Sequence, residues 1–341
     1  MLVADLTDGQ DLDQVLLVSA LERRTRRDGT EYLRLTFTDR SGSLTAMVWD
    51  GVEEARELCL PGHPVRVLGR HDVHPRYGAQ VTIRALRPAA EGSYELGDLT
   101  PGPPRSAERM ERELRELLET VQDPHLRHLL DAVLGPDTET WAAFRVAPAA
   151  KHYHQAYVHG LLEHALTVAQ GVSAISQTFG GVDRDVSIAG ALLHDIGKLD
   201  EYTRDDPLHI AMTDVGRLQG HIPLGYYRVR RLIEELPGFP EQTAAAVLHI
   251  VLSHHGCLEY GSPVLPQTRE ATLVHFVDNL GGRLGSFDRL ERGLPEGEQW
   301  SPHDRALGGG AYFGFAQAQP ALPPPVQVPG EEPQITVRRA A

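Results

Sequence analysis

The sequence predicts a chain in two parts, a five-stranded β-barrel followed by an all-α helical domain, on three observations. Over residues 15–88, short segments rich in Val, Leu, Thr and aromatics alternate with polar turns, the spacing of a small barrel. From about residue 105 to 290, apolar residues recur at helical intervals with no convincing internal sheet. Between the two lies a stretch rich in Pro, Gly, Ser and acids, including Pro101-Gly102-Pro103-Pro104. The expected boundaries are 1–90 for the barrel, 91–106 for a linker, 107–315 for the helical domain and 316–341 for a flexible Pro-rich tail.

Composition agrees with that division. A length of 341 residues suits two domains, and an apolar content of 41% allows each a core. The net charge of -14 argues against a protein that coats nucleic acid through bulk charge, though not against a local basic surface. Cys59 and Cys257 are too few for a disulfide scaffold and suit a reducing compartment, so a cytoplasmic location is expected. The first residues carry no basic region ahead of a long apolar run, and no stretch reaches the ~18 apolar residues of a membrane span. Only Lys151 and Lys198 are lysines, and both sit beside histidine-rich motifs.

In the barrel, residues 15–21 read as the first strand, closed by the turn Arg26-Arg27-Asp28-Gly29-Thr30. Residues 32–39 alternate apolar and polar and form the second, and residues 44–49 the third after Ser41-Gly42-Ser43. Residues 51–60 read as a short helix, and residues 64–71 and 79–86 supply the last strands. Five strands with a helix between the third and fourth is the pattern of an OB-fold. Residues 12–90 are net +2 while the rest of the chain is net -16. The cluster Arg23, Arg24, Arg26 and Arg27 falls at the first hairpin, and Tyr32, Phe37, Trp49 and Tyr77 are candidate stacking faces for a single strand, with burial of Phe37 and Trp49 in the core as the competing reading.

In the helical part, Ser106 caps a helix from Ala107, and helices follow over residues 125–134 and 138–144. Lys151, His152, His154 and Tyr157 precede a helix over residues 157–175 that carries His164. The next helix is apolar throughout and ends in Leu193-His194-Asp195-Ile196-Gly197-Lys198. Residues 205–216 read as a loop, and Gly220-His221 opens a helix to about residue 235. Residues 241–253 form a helix ending in Ser253-His254-His255-Gly256, and residues 268–284 one bearing His275 and Asp278. Residues 283–307 are polar and loop-like, and Tyr312-Phe313-Gly314-Phe315 is an aromatic patch.

A buried helix has no inexpensive use for an ionised carboxylate, so Asp195 requires a cation or another partner. His164, His194, Asp195, His221, His254, His255 and Asp278 lie within or at the ends of consecutive helices, which can aim them into one cleft. Imidazole with carboxylate suits manganese first, with iron, cobalt, nickel, zinc or magnesium as alternatives. Seven donors exceed one ordinary site, which favours two ions with Asp195 between them. Lys198, one turn past His194, either stabilises phosphate charge or pairs at the surface.

The pattern His164, His194-Asp195 and Asp278 resembles the HD phosphohydrolase superfamily, and Gly220-His221-Ile222 with Ser253-His254-His255-Gly256 resembles its binuclear members. With the barrel ahead of it, residues 12–315 resemble the YhaM-type 3′–5′ exoribonucleases. The resemblance implies that His164, His194, Asp195 and Asp278 form the core metal set and that His221, His254 and His255 hold a second ion. It also implies catalysis by His194, Asp195 and Lys198, substrate contacts from Lys151, His154, Tyr157, Arg23, Arg24, Arg26, Arg27 and Tyr32, and release of nucleoside 5′-monophosphates from single-stranded RNA or DNA. It leaves a homo-oligomer open. Two departures stand out: Gly160 occupies a place where a glutamate occurs in such members, and Gln155 replaces one of a histidine pair. A phosphodiesterase or phosphatase acting on small nucleotides is the alternative enzyme, and a nucleic-acid-binding adaptor with an inactive metal site the alternative class.

Overall fold

The computed structural model describes residues 2–26, 28–74, 78–90, 92–100, 102–151, 155–203, 210–295 and 297–317. Arg27, Tyr77, His152, His154, Arg204, residues 205–209 of the expected loop and residues 318–341 of the expected tail lie outside the described residues. The chain divides into two compact units, Met1–Arg289 and Leu290–Ala341.

In the first unit, strands β1 (Asp11–Thr25), β2 (Glu31–Thr38), β3 (Ser43–Val48), β4 (Pro64–His74) and β5 (Gly78–Pro88) close a barrel in the order β1-β2-β3-β5-β4, with α1 (Val52–Leu58) between β3 and β4. This is the expected OB-fold. Strand β1 outruns its predicted length at both ends because it serves two partners. Its first half pairs with β4, from Asp11↔Arg70 to Leu17↔Pro64, and its second half with β2, from Leu17↔Thr38 to Thr25↔Glu31. Its C-terminal end is polar and exposed and its N-terminal end buries only Leu12 among polar residues, so periodicity alone hides them. Leu33, Leu35 and Phe37 alternate inward from β2 and meet Leu16, Val18, Leu44, Val65 and Val67 in the barrel core. Phe37 is fully buried, a burial worth about 1.5–3 kcal/mol, and therefore offers no stacking face.

The linker is partly packed. It contains α2 (Leu96–Leu99), whose Leu99 is buried, and the Asp98 carbonyl accepts the Arg40 N–H at 2.9 Å.

The helices that follow are started by side-chain caps, of which the sequence predicts Ser106. Ser106, Asp123 and Thr138 accept backbone N–H groups at the heads of α3 (Ala107–Glu119), α4 (Pro124–Leu134) and α5 (Glu139–Phe144). Then come α6 (Gly160–Ser176), α7 (Arg184–Leu193), α8 (Lys198–Glu201), α9 (Asp214–Gln219), α10 (His221–Glu235), α11 (Glu241–Ser253) and α12 (Arg269–Arg292). Helix α6 starts three residues later than its apolar period suggests because His159 is left-handed, φ 69°. Helix α9 occupies part of the expected loop, capped by Thr213. Helix α12 runs eight residues past its predicted end, because the polar sequence after Leu284 continues the helix, with Ser286 buried, rather than forming a loop.

The core of this part is built on α6 and α7. Every residue of α7 from Val186 to Leu193 is buried. Its small residues permit this: a Cβ on Gly190 would come within 2.3 Å of Ile250 on α11. In the second unit, Trp300↔Tyr312 and Asp304↔Gly309 bridges form a minimal hairpin ahead of α13 (Gly314–Gln317). Among the described residues, no helix is long and apolar enough to cross a membrane.

Candidate metal centre

The predicted donors converge. Helix α7 ends at Leu193, leaving its last carbonyls without helical partners. His194 takes the C-cap position and turns its ring back, so that Nδ1 donates to the Ala191 carbonyl at 2.7 Å. Helix α11 repeats the device, with His254 Nδ1 donating to the Val251 carbonyl at 2.8 Å. A buried apolar helix terminated by histidine thus satisfies its own end and aims the other ring nitrogen onward. The next residue, His255, donates from Nδ1 to the Tyr260 carbonyl at 2.6 Å, across the turn at Gly256 (φ 79°).

The other two histidines are held by side chains. His221, at the head of α10, has Nδ1 3.3 Å from Glu201 Oε2, and His164, in α6, has Nδ1 3.0 Å from Gln155 Oε1. In all five histidines Nδ1 is engaged, which leaves Nε2 as the free donor atom.

Asp195 lies between two groups. Its Oδ2 is 3.2 Å from His164 Nε2, 3.3 Å from His194 Nε2 and 2.5 Å from Lys198 Nζ. Its Oδ1 is 3.4 Å from His221 Nε2 and 3.6 Å from His254 Nε2. Asp278 Oδ1, from α12, is 3.1 Å from His164 Nε2. The sets His164, His194, Asp195 and His194, His254, Asp278 and His221, His254, His255 each bring their donor atoms within 4.8 Å of one another. The short loop after Asp195 makes this approach possible. A Cβ on Gly197 would fall 1.9 Å from the His221 carbonyl, so only glycine lets the head of α10 reach the end of α7.

Asp195 Oδ1, His221 Nε2 and His254 Nε2 are buried and make no hydrogen bond. Orphaned buried polar atoms are rare, and these face one another as ligands around a cation do. The donor set, imidazole nitrogen and carboxylate oxygen, fits a divalent transition metal.

Burial and charge divide the group. Burial opposes ionisation of His164, but Asp195 and Asp278 outweigh it and raise its pKa to about 9. Burial lowers His254 and His255 to about 4 and moves His221 in the same direction. Burial alone would raise Asp195 and Asp278. Lys198 and His194 nevertheless hold Asp195 well below the usual carboxylate range, and His164 and His194 do the same for Asp278.

All seven predicted ligands and Lys198 therefore meet in one place. Lys198 pairs inward with Asp195, not at the surface. Tyr157 donates its hydroxyl to the buried Glu163 at 2.6 Å, beside His164, and Lys151 is half-buried. Sequence reasoning missed Glu201. It lies in the acidic pair Asp200-Glu201, and nothing in the sequence tells that Asp200 turns out to Arg228 at 2.7 Å while Glu201 turns in to His221.

The barrel arginines are not a free cationic cluster. Arg23 pairs with Glu31 and Arg24 with Glu22 at 2.6 Å, so their charge is largely balanced. Arg26 instead lies over the Trp49 ring, 4.1 Å from its centroid, and Tyr32 packs on the same indole at 4.6 Å between centroids. Trp49 is 47% exposed, so the competing core reading holds for Phe37 and not for Trp49.

Residues 161–282 match the family model described as the HD domain. The 3′-5′ exoribonuclease YhaM of Geobacillus sp. (strain WCH70) is 30% identical over 292 residues, covering 85% of this chain and 88% of that protein. The YhaM proteins of Bacillus subtilis (strain 168) and Bacillus velezensis (strain DSM 23117 / BGSC 10A6 / LMG 26770 / FZB42) are 30% and 31% identical over 290 residues, covering 84% of this chain and 90% of theirs.

Proposed function

The chain belongs to the YhaM-type 3′–5′ exoribonuclease family, an OB-fold barrel followed by an HD-type phosphohydrolase domain, and from that premise we propose that it shortens single-stranded RNA from the 3′ end, releasing nucleoside 5′-monophosphates. DNA is the second substrate, since a stacking platform reads π-faces that both nucleic acids have. The observation that carries this reading is the split of Asp195, with one oxygen toward His164 and His194 and the other toward His221 and His254.

His164, His194, Asp195 and Asp278 would hold one ion, and His221, His254 and His255 with Asp195 a second, manganese being the first choice. Bound there, such ions supply Lewis-acid polarisation of a phosphoryl oxygen and a more acidic attacking water. The chain's own groups prepare the site. Burial keeps His254 and His255 neutral, ready to ligate. Lys198 keeps Asp195 ionised and directs its remaining N–H donors at phosphate charge. Tyr32, Trp49 and Arg26 hold bases on the barrel by stacking. Tyr157, whose hydroxyl is taken by Glu163, and Lys151 are the proposed substrate contacts ahead of His164, and His154, which lies outside the described residues, is proposed with them from its place in the sequence. The proposed division is barrel 1–90, linker 91–106, helical domain 107–315 and tail 316–341. The free thiols of Cys59 and Cys257 support a cytoplasmic setting.

The test is 5′-labelled single-stranded RNA incubated with purified protein and manganese. A descending ladder is expected, absent with chelator and absent in the His194→Ala, Asp195→Ala double variant. Uncut RNA under several divalent metals, with turnover of a cyclic or linear dinucleotide, would replace the exonuclease by a small-nucleotide phosphodiesterase.

A further inference from the structure

Gln155 stands ahead of α6, in a turn that the reaction described above does not use. It is 5% exposed and its backbone is left-handed, φ 61°. A residue other than glycine adopts that conformation at a cost and keeps it only where its surroundings impose it. Here they do. The Gln155 carbonyl accepts the Ala149 N–H at 3.1 Å, and a Cβ on Gly160 would fall 2.1 Å from that carbonyl oxygen. The turn is clamped between Ala149 and the first turn of α6.

The product of the clamp is the placement of one amide. Gln155 Oε1 lies 3.0 Å from His164 Nδ1. His194, His254 and His255 take their orientation from backbone carbonyls that their own helix ends or loop provide. His164 sits inside α6, where backbone carbonyls belong to the helical ladder, so its ring must be oriented from elsewhere.

We propose that Gln155 is a positioning residue for cation binding: its amide oxygen accepts the Nδ1–H of His164 and thereby aims the Nε2 lone pair at the space bounded by His194, Asp195 and Asp278. The inference rests on reading that space as a metal site. Without the amide, the imidazole is free to rotate and Nε2 is no longer held toward His194, Asp195 and Asp278. Partners of this kind commonly change metal affinity about 10–100-fold.

The test titrates full-length, metal-stripped protein with Mn²⁺ alone by calorimetry, and records thermal melting of the same samples without metal. Gln155→Gly separates the two roles, because glycine accepts the left-handed backbone without strain but has no amide. Its metal-free melting temperature is expected to equal or exceed that of the parent chain. One Mn²⁺ dissociation constant is expected to weaken about 10–100-fold while the other stays within about twofold. Gln155→Glu, which keeps an acceptor at the same reach, is expected to retain parental affinity. An unchanged isotherm for Gln155→Gly overturns the proposal, as does weakening of both constants together with a lower melting temperature, the mark of a merely structural role. Failure of the parent chain to bind Mn²⁺ would instead strike the metal reading itself.

Discussion

The two halves of the candidate metal centre share Asp195 but differ in the charge of their other donors. On one side, His164 faces two carboxylates, which raise its pKa to about 9 against the pull of burial. On the other, His221 and His254 face Asp195 Oδ1, His221 is backed by Glu201, and burial strips protons from the group, with His254 and His255 near pKa 4. The same ligand type is thus prepared in opposite ways. One half carries anionic charge and a proton that a cation must expel. The other is already deprotonated, and takes its negative charge from the shared Asp195 carboxylate and from Glu201 behind His221.

The largest effect comes from striking both halves at once. Asp195→Asn removes the charge that each side uses, and is expected to lower kcat/KM on RNA by at least about 10³-fold, as loss of several kcal/mol of transition-state stabilisation implies. Calorimetry should show both Mn²⁺ events weakened, with the circular dichroism of the fold retained. Loss of only one event would break the idea that Asp195 is shared.

A change of pH strikes one half. Below about pH 9 the metal-free His164 keeps its proton, so ion binding there releases it, and affinity rises about tenfold per unit toward that pH. Above about pH 5, His254 and His255 have no proton to lose, and the affinity of their half stays level. Between about pH 6 and about pH 8, one Mn²⁺ dissociation constant should therefore tighten roughly 10²-fold and the other remain unchanged. Two constants that tighten in parallel would show the halves titrating as one unit.

A change on the barrel strikes neither half. Trp49→Ala removes the indole that Arg26 and Tyr32 both contact. It is expected to weaken binding of a long single strand about 10-fold, within the range for one stacked base, and to leave both Mn²⁺ constants as they were. An altered metal isotherm would show that the barrel and the centre are not separable in this way.

Much of the fold was legible. Leu33, Leu35 and Phe37 alternate with polar residues because the barrel buries one face of β2, and Ser106 marks a helix start because free N–H groups need acceptors, a role that Asp123 and Thr138 share without being predicted to. Periodicity missed both ends of β1, where pairing to β4 and β2 continues past the apolar run, with only Leu12 buried among the added residues. It missed the end of α12 for a similar reason, since a polar helix end shows no apolar period. The seven donors were legible as types, because histidine and aspartate after fully apolar helices have few other uses. The residues that hold them were not, since Glu201 and its neighbour Asp200 look alike until α10 supplies His221 to one and Arg228 to the other.

The sequence by itself determined which atoms are available as ligands and where α7 and α11 stop being helical, because both follow from residue identity and short-range hydrogen bonding. Only the tertiary structure decided which nitrogen of each histidine faces the centre, which oxygen of Asp195 serves which half, and which imidazoles carry a proton. Those properties depend on distances between α6, α7, α10, α11 and α12 and on burial that excludes water. In that setting, a carboxylate within about 4 Å shifts a proton equilibrium far more than any neighbour along the chain.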